Sequence, residues 1–154
     1  MQSRVHYGAG RTAWRLMLLV LVLHAAAAAA EPSLEDLKSK LASASAGDRP
    51  HLCVQIAERQ LEAADKLYAG ADFDKAQLAL GEAVAYSEMA RDYAIKSRKY
   101  QKQTEIAARG MARKLNDLMH SLARQDQAAV QTAIGRLQRV RDDLLSAMFH
   151  GHHS

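Results

Sequence analysis

Hydrophobic residues recur every three or four positions along most of this chain, which is the spacing of amphipathic helices. Alanine, leucine, glutamine, lysine, arginine and glutamate dominate these segments, and all of them favour helix. Both prolines, Pro32 and Pro50, lie near predicted helix starts, and no alternating run of β-branched residues is present. The pattern therefore predicts an all-α fold for residues 31–149.

Turn and capping residues divide this domain into four predicted helices. Ser33 is suited to cap the first helix, and Gly70 is suited to end the second. No proline or turn cluster interrupts the third helix, so at ~1.5 Å per residue it would be about 75 Å long. The predicted ranges are about 33–45, 49–68, 73–122 and 126–149.

Short turns on either side of the third helix predict two antiparallel hairpins built on one long central helix. Each hairpin alone would bury little apolar surface, which leaves two arrangements open. In one, the central helix is continuous, the first helix covers the gap at residues 91–100, and two copies associate. In the alternative, the helix breaks near 97–103 and the hairpins form a compact four-helix bundle. The uninterrupted helix-forming composition favours the first arrangement.

The first thirty residues have the pattern of a secretory signal peptide: a basic head, an apolar core and small residues before a cleavage point. We therefore expect an exported protein, periplasmic or secreted, whose mature chain begins at Glu31. The alternative is an uncleaved membrane anchor, although the apolar run is shorter than the roughly 20 residues of a spanning helix. The basic residues are Arg4, Arg11 and Arg15, the apolar run covers 16–23, and the small residues are Ala28 and Ala30.

Removal of this leader lowers the formal net charge from +4 to +1, so the basic composition does not indicate nucleic-acid binding. The remaining charge is polarised, with −5 over residues 31–95 and +6 over residues 96–154. The densest basic stretch predicts contact with an anionic surface, such as lipid headgroups or an acidic protein. The alternatives are a solvated helix face and self-association of the basic half with the acidic half. The stretch contains Lys96, Arg98, Lys99, Lys102, Arg109, Arg113 and Lys114.

Tyr86, Tyr93 and Tyr100 are seven residues apart and form a candidate partner-facing stripe on the third helix. The alternative is that they flank the internal core. Cys53 is the only cysteine, so it is either a buried free thiol or the site of an intermolecular disulfide in an exported protein. Helical i,i+4 spacing also predicts exposed ion pairs, among them Asp92–Lys96 and Glu105–Arg109.

The turn sequence Gly70-Ala71-Asp72-Phe73-Asp74-Lys75-Ala76, with Leu80 and Ala83 after it and Ala64 and Leu67 before it, resembles one unit of the tetratricopeptide repeat. The turn glycine stands one place early, and Glu88 occupies the position where the motif usually closes with proline. The resemblance covers about 34 residues, the length of one such unit. It implies a helical-hairpin interaction module that binds protein.

No motif of a known reaction is present: the sequence lacks a GxSxG elbow, an HExxH pair, a phosphate-binding glycine loop, an EF-hand loop and a CxxCH haem site. The terminal His150, His152 and His153 could ligate zinc, copper or nickel. We expect no cofactor and no enzymatic activity.

Together these patterns predict an exported, non-enzymatic helical scaffold that binds a protein partner or an envelope surface and self-associates, for example as a homodimer. Apart from binding to an envelope surface, we expect the protein to contact a membrane only if the signal segment remains uncleaved. The alternative function is a small extracytoplasmic metal-binding protein that uses the histidines of the tail at 150–154.

Overall fold

A computed structural model describes residues 31–150 of the chain. Within this range all regular structure is helical, which confirms the all-α prediction. The predicted signal peptide, residues 1–30, and the tail residues His152 and His153 lie outside the described residues. The helices are α1 (Leu34–Ser43), α2 (Arg49–Ala69), α3 (Phe73–Ser97), α4 (Gln101–Ser121) and α5 (Gln127–His150), with a short 3-10 turn at Arg124–Asp126 before α5.

Helix α1 begins, as predicted, at an N-cap serine. The Ser33 hydroxyl accepts a hydrogen bond from the Asp36 N–H at 3.1 Å, and the Asp36 carboxylate accepts one from the Ser33 N–H at 3.1 Å. The Ser33 hydroxyl also donates a hydrogen bond to Asp36 Oδ2 at 2.8 Å, and this bond, followed by the one from the Ser33 N–H, lowers the pKa of Asp36. Leu37 is buried, and Lys38 Nζ lies 3.3 Å from Glu82 Oε2 on α3. Helix α1 thus packs against the α2–α3 hairpin.

The predicted continuous helix over 73–122 is wrong, because the chain turns back between α3 and α4. Arg98 and Tyr100 both adopt left-handed backbone conformations, with φ of 56° and 60°. The structure therefore has the compact four-helix arrangement that was the alternative prediction. There is no gap between separated hairpins for α1 to cover. Each left-handed residue costs roughly 1–2 kcal/mol, so packing elsewhere must offset the turn.

Helices α2 and α3 form one antiparallel hairpin, and α4 and α5 form the other. Helix α4 folds back on α3, since the Ser87 hydroxyl lies 3.9 Å from the Met111 sulfur. The second hairpin places α5 beside α3 and α4 beside α2. Paired charges join α3 to α5, where the Arg136 guanidinium donates two hydrogen bonds to the Glu88 carboxylate at 2.9 and 2.7 Å.

All four of these helices contribute to the main hydrophobic core. A second buried cluster joins α3, α4 and α5 through Ala94, Ala108, Val140 and Leu144, each at most 1% exposed. This cluster lies next to the break and can form only when α4 and α5 return onto α3. Its burial supplies apolar free energy that offsets the strained backbone at Arg98 and Tyr100. The residues of the main core are Ala57, Leu61, Ala64, Tyr68, Ala76, Leu80, Ala83, Val84, Met111, Leu115, Val130, Ala133 and Leu137.

Candidate anionic-surface site

The break between α3 and α4 divides the predicted basic stretch into parts that face different surfaces. Four of its residues surround the break, and we refer to Lys96, Arg98, Lys99 and Lys102 as the basic end. All four side chains are exposed. None of them forms an ion pair with an acidic residue of the described range. Asp92, which i,i+4 spacing pairs with Lys96, is instead 2.8 Å from Arg91.

Neighbouring elements hold the basic end in place. The Lys99 side chain passes over Gly47 in the α1–α2 loop, so closely that a Cβ at Gly47 would lie 2.9 Å from Lys99 Nζ. The rings of Tyr100 and His51 stack with centroids 5.6 Å apart. The start of α2 and the loop before it therefore support the turn that presents the cations.

Exposed apolar side chains lie among these cations. Ile95 is 36% exposed and Tyr100 is 38% exposed, and both adjoin the break. Helix α5 runs antiparallel to α4, so its C-terminal turn reaches the same end of the bundle and brings Phe149, which is 71% exposed. This end therefore combines unpaired positive charge with aromatic and aliphatic surface.

The three tyrosines do not form the predicted stripe, because the break puts Tyr100 on a different helix from Tyr86 and Tyr93. Tyr86 is half-buried and packs against the main core. Tyr93 is half-buried beneath the Arg49 guanidinium, whose central carbon is 5.4 Å from the ring centroid. Tyr100 is the most exposed of the three.

The remaining basic residues line two grooves farther along α4. Arg109 and Arg113 border a groove of about 390 Å³ between α4 and α5. Lys114 faces the other way, into a groove of about 320 Å³ between α2 and α4 that also contains Glu62 and Asp65. The seven basic residues are thus not one continuous face.

Glu105 is the one charged residue that is buried within the described range, with its side chain 8% exposed. Its Oε1 accepts a hydrogen bond from Arg141 Nε at 2.9 Å, and Arg109 Nε lies 3.7 Å away. The predicted surface pair Glu105–Arg109 is therefore a buried carboxylate held between two arginines. Sequence reasoning missed Arg141 because it lies 36 positions away on another helix.

Cys53 is completely buried, which agrees with the interpretation as a buried free thiol and gives no support to an intermolecular disulfide. Burial raises the pKa of the Cys53 thiol to about 11, so the reactive thiolate is scarce at neutral pH. His150 Nδ1 lies 3.0 Å from the Ser146 carbonyl oxygen. Among the described residues, no three histidine, cysteine or acidic side chains come together as metal ligands.

No family model matches this chain, and neither a curated protein nor a solved structure gives a significant match. In the part of the chain that the structure describes, none of the helices is both long and apolar enough to cross a membrane.

Proposed function

We propose that this protein is exported and acts by binding rather than by catalysis, docking on an anionic membrane surface of the cell envelope through its basic end. One observation carries the proposal: four unpaired cations surround exposed apolar residues at a single end of the bundle. The export part rests on the signal-like pattern of residues 1–30.

The chemistry of this end fits a lipid surface better than a peptide. Each basic side chain near an anionic bilayer contributes about 1 kcal/mol of attraction. Ile95, Tyr100 and Phe149 suit the boundary between headgroups and acyl chains, where aromatic and aliphatic side chains of surface-bound proteins lie. None of the basic-end residues lines the α4–α5 groove or the α2–α4 groove, in which an extended peptide could lie.

Charged and polar groups elsewhere in the bundle serve its structure. Glu88 and Arg136 join two helices, and the hydrogen bond between them raises the pKa of Arg136 above its usual value. Glu82 accepts a hydrogen bond from the buried Gln60 and pairs with Lys38. These contacts give Glu82 and Glu88 structural roles.

Sedimentation with lipid vesicles tests the proposal. We expect the protein to pellet with vesicles of phosphatidylglycerol and phosphatidylcholine in equal parts, but not with phosphatidylcholine alone. Binding should weaken as the salt concentration rises past about 0.15 M, because the Debye length falls to ~8 Å there. Equal binding to both vesicles, or no binding to either at low salt, would exclude a lipid surface. In the second case the acidic-protein alternative would take its place.

A further inference from the structure

The groove between α4 and α5 contains a cluster of arginines that the proposed membrane contact does not use. Arg109 and Arg113 enter it from α4, and Arg141 enters it from α5. Asn116 and Gln138 add amide groups to its wall. Its volume of about 390 Å³ falls within the range of sites that hold small molecules.

Glu105 positions two of these arginines without occupying their terminal groups. The Glu105 carboxylate accepts a hydrogen bond from the Nε–H of Arg141. Arg109 also approaches the carboxylate through its Nε atom. The η nitrogens of both side chains therefore remain available. Arg113 has no ion-pair partner among the described residues. Guanidinium groups with open η nitrogens bind planar or tetrahedral oxyanions in a fixed geometry.

The rest of the groove restricts what the ligand can be. Ala112 and Ile134, which are partly exposed, form the accessible apolar surface beside the arginines, above the buried Ala108 and Leu137. Asp117 also borders the groove, about 12 Å along the helix from Arg109 and about 6 Å from Arg113 at ~1.5 Å per residue. A second anionic group beside Asp117 would be repelled. The geometry points to a small amphipathic ligand that carries one carboxylate or phosphate group.

We propose that the α4–α5 groove binds such a single-headed amphipathic oxyanion, with its head on Arg109, Arg113 and Arg141 and its apolar part along α5. This site is separate from the basic end, so the two proposals can fail independently. Reversal of charge at Lys99 and Lys102 should leave ligand binding in the groove unchanged.

Calorimetric titration of the full chain with octanoate, octyl phosphate and octyltrimethylammonium tests the site. We expect one saturable site for at least one of the two anions and none for the cation. Saturation by octanoate alone assigns the head as a carboxylate, and saturation by octyl phosphate alone assigns it as a phosphate. Absence of saturable heat with both anions, or equal binding of the cation, would overturn the proposal.

Variants locate the binding. Arg113→Gln with Arg141→Gln should weaken anion binding at least tenfold, because two charge-assisted contacts are lost. Arg139→Gln removes an exposed charge two residues from Arg141 and should change affinity less than twofold. Arg113→Gln alone breaks no ion pair, so it tests the site even if loss of Arg141 disturbs folding, and we expect at least threefold weaker binding. Affinity unchanged in both variants would place the anion elsewhere.

Discussion

Replacement of Leu144 with alanine should lower the free energy of unfolding by about 2–5 kcal/mol, the range for large-to-small substitutions at sites that cannot collapse. Leu144 is completely buried in the cluster that joins α3, α4 and α5. Its partners Ala94 and Ala108 are small and cannot move to fill the space. Urea unfolding followed by circular dichroism measures the change. As a control, Leu78→Ala removes the same atoms from a side chain that is 72% exposed and should change stability by less than about 0.5 kcal/mol.

Enlargement of Ala94 tests the same cluster from the opposite direction. Ala94 is completely buried, so Ala94→Leu should destabilise the bundle by about 1–3 kcal/mol through overpacking. Ala85 is exposed on the same helix, and Ala85→Leu should be nearly neutral. In an elongated molecule with one continuous helix, Ala94 would lie between the hairpins and tolerate leucine. Equal stability of the two leucine variants would therefore contradict the break at Arg98–Tyr100.

Reversal of charge at Lys99 and Lys102 should abolish binding to phosphatidylglycerol vesicles. Two attractive charges become two repulsive ones, and at about 1 kcal/mol for each charge the change is about 4 kcal/mol. That corresponds to roughly a 1,000-fold loss of affinity, since each 1.4 kcal/mol is about tenfold. Vesicle sedimentation of Lys99→Glu with Lys102→Glu measures this loss.

The matched control carries the same change in net charge at the opposite end of the bundle. Lys66 lies in the last turn of α2 and Arg124 in the short 3-10 turn, and both are exposed. Lys66→Glu with Arg124→Glu should retain most vesicle binding, with only the modest weakening that a lower net charge causes. Equal loss in the two double variants would mean that overall charge, and not the basic end, governs attachment.

Local sequence signals predicted most helix boundaries correctly. They failed at the break between α3 and α4, where packing between distant helices determines the backbone conformation. The cap at Ser33 follows from a side-chain preference that acts over a few residues. Helix α2 ends next to Gly70 as predicted, but Gly70 has a φ of −85° and the left-handed residue of the turn is Ala71, with a φ of 58°. The break at Arg98 and Tyr100 has no such signal, since neither residue is glycine or proline. It forms because the folded-back hairpins bury Ala94 and Leu144 in the same cluster. Residues so far apart in the sequence lie outside the short segments from which helix ends are predicted.

The candidate sites show the same division. The run of cations at Lys96–Lys102 is visible in the sequence, which places no acidic residue between them. The sequence predicted only part of the arginine cluster in the α4–α5 groove. Arg109 and Arg113 belong to the basic stretch, whereas Arg141 joins them through antiparallel pairing of α4 with α5. Glu105 was assigned to the surface because helical spacing does not reveal which face the next helix covers.

The most direct test of the account asks which end of the bundle meets the membrane. The buried Cys53 thiol, with its raised pKa, leaves an introduced surface cysteine to be labelled selectively with an environment-sensitive dye. The dye is placed at Ile95→Cys beside the basic end, or at Leu78→Cys, which lies about 26 Å away along α3 at ~1.5 Å per residue. We predict that phosphatidylglycerol vesicles raise the fluorescence of the label at position 95 and leave that at position 78 unchanged. A response confined to position 78, or equal at both positions, would contradict docking through the basic end.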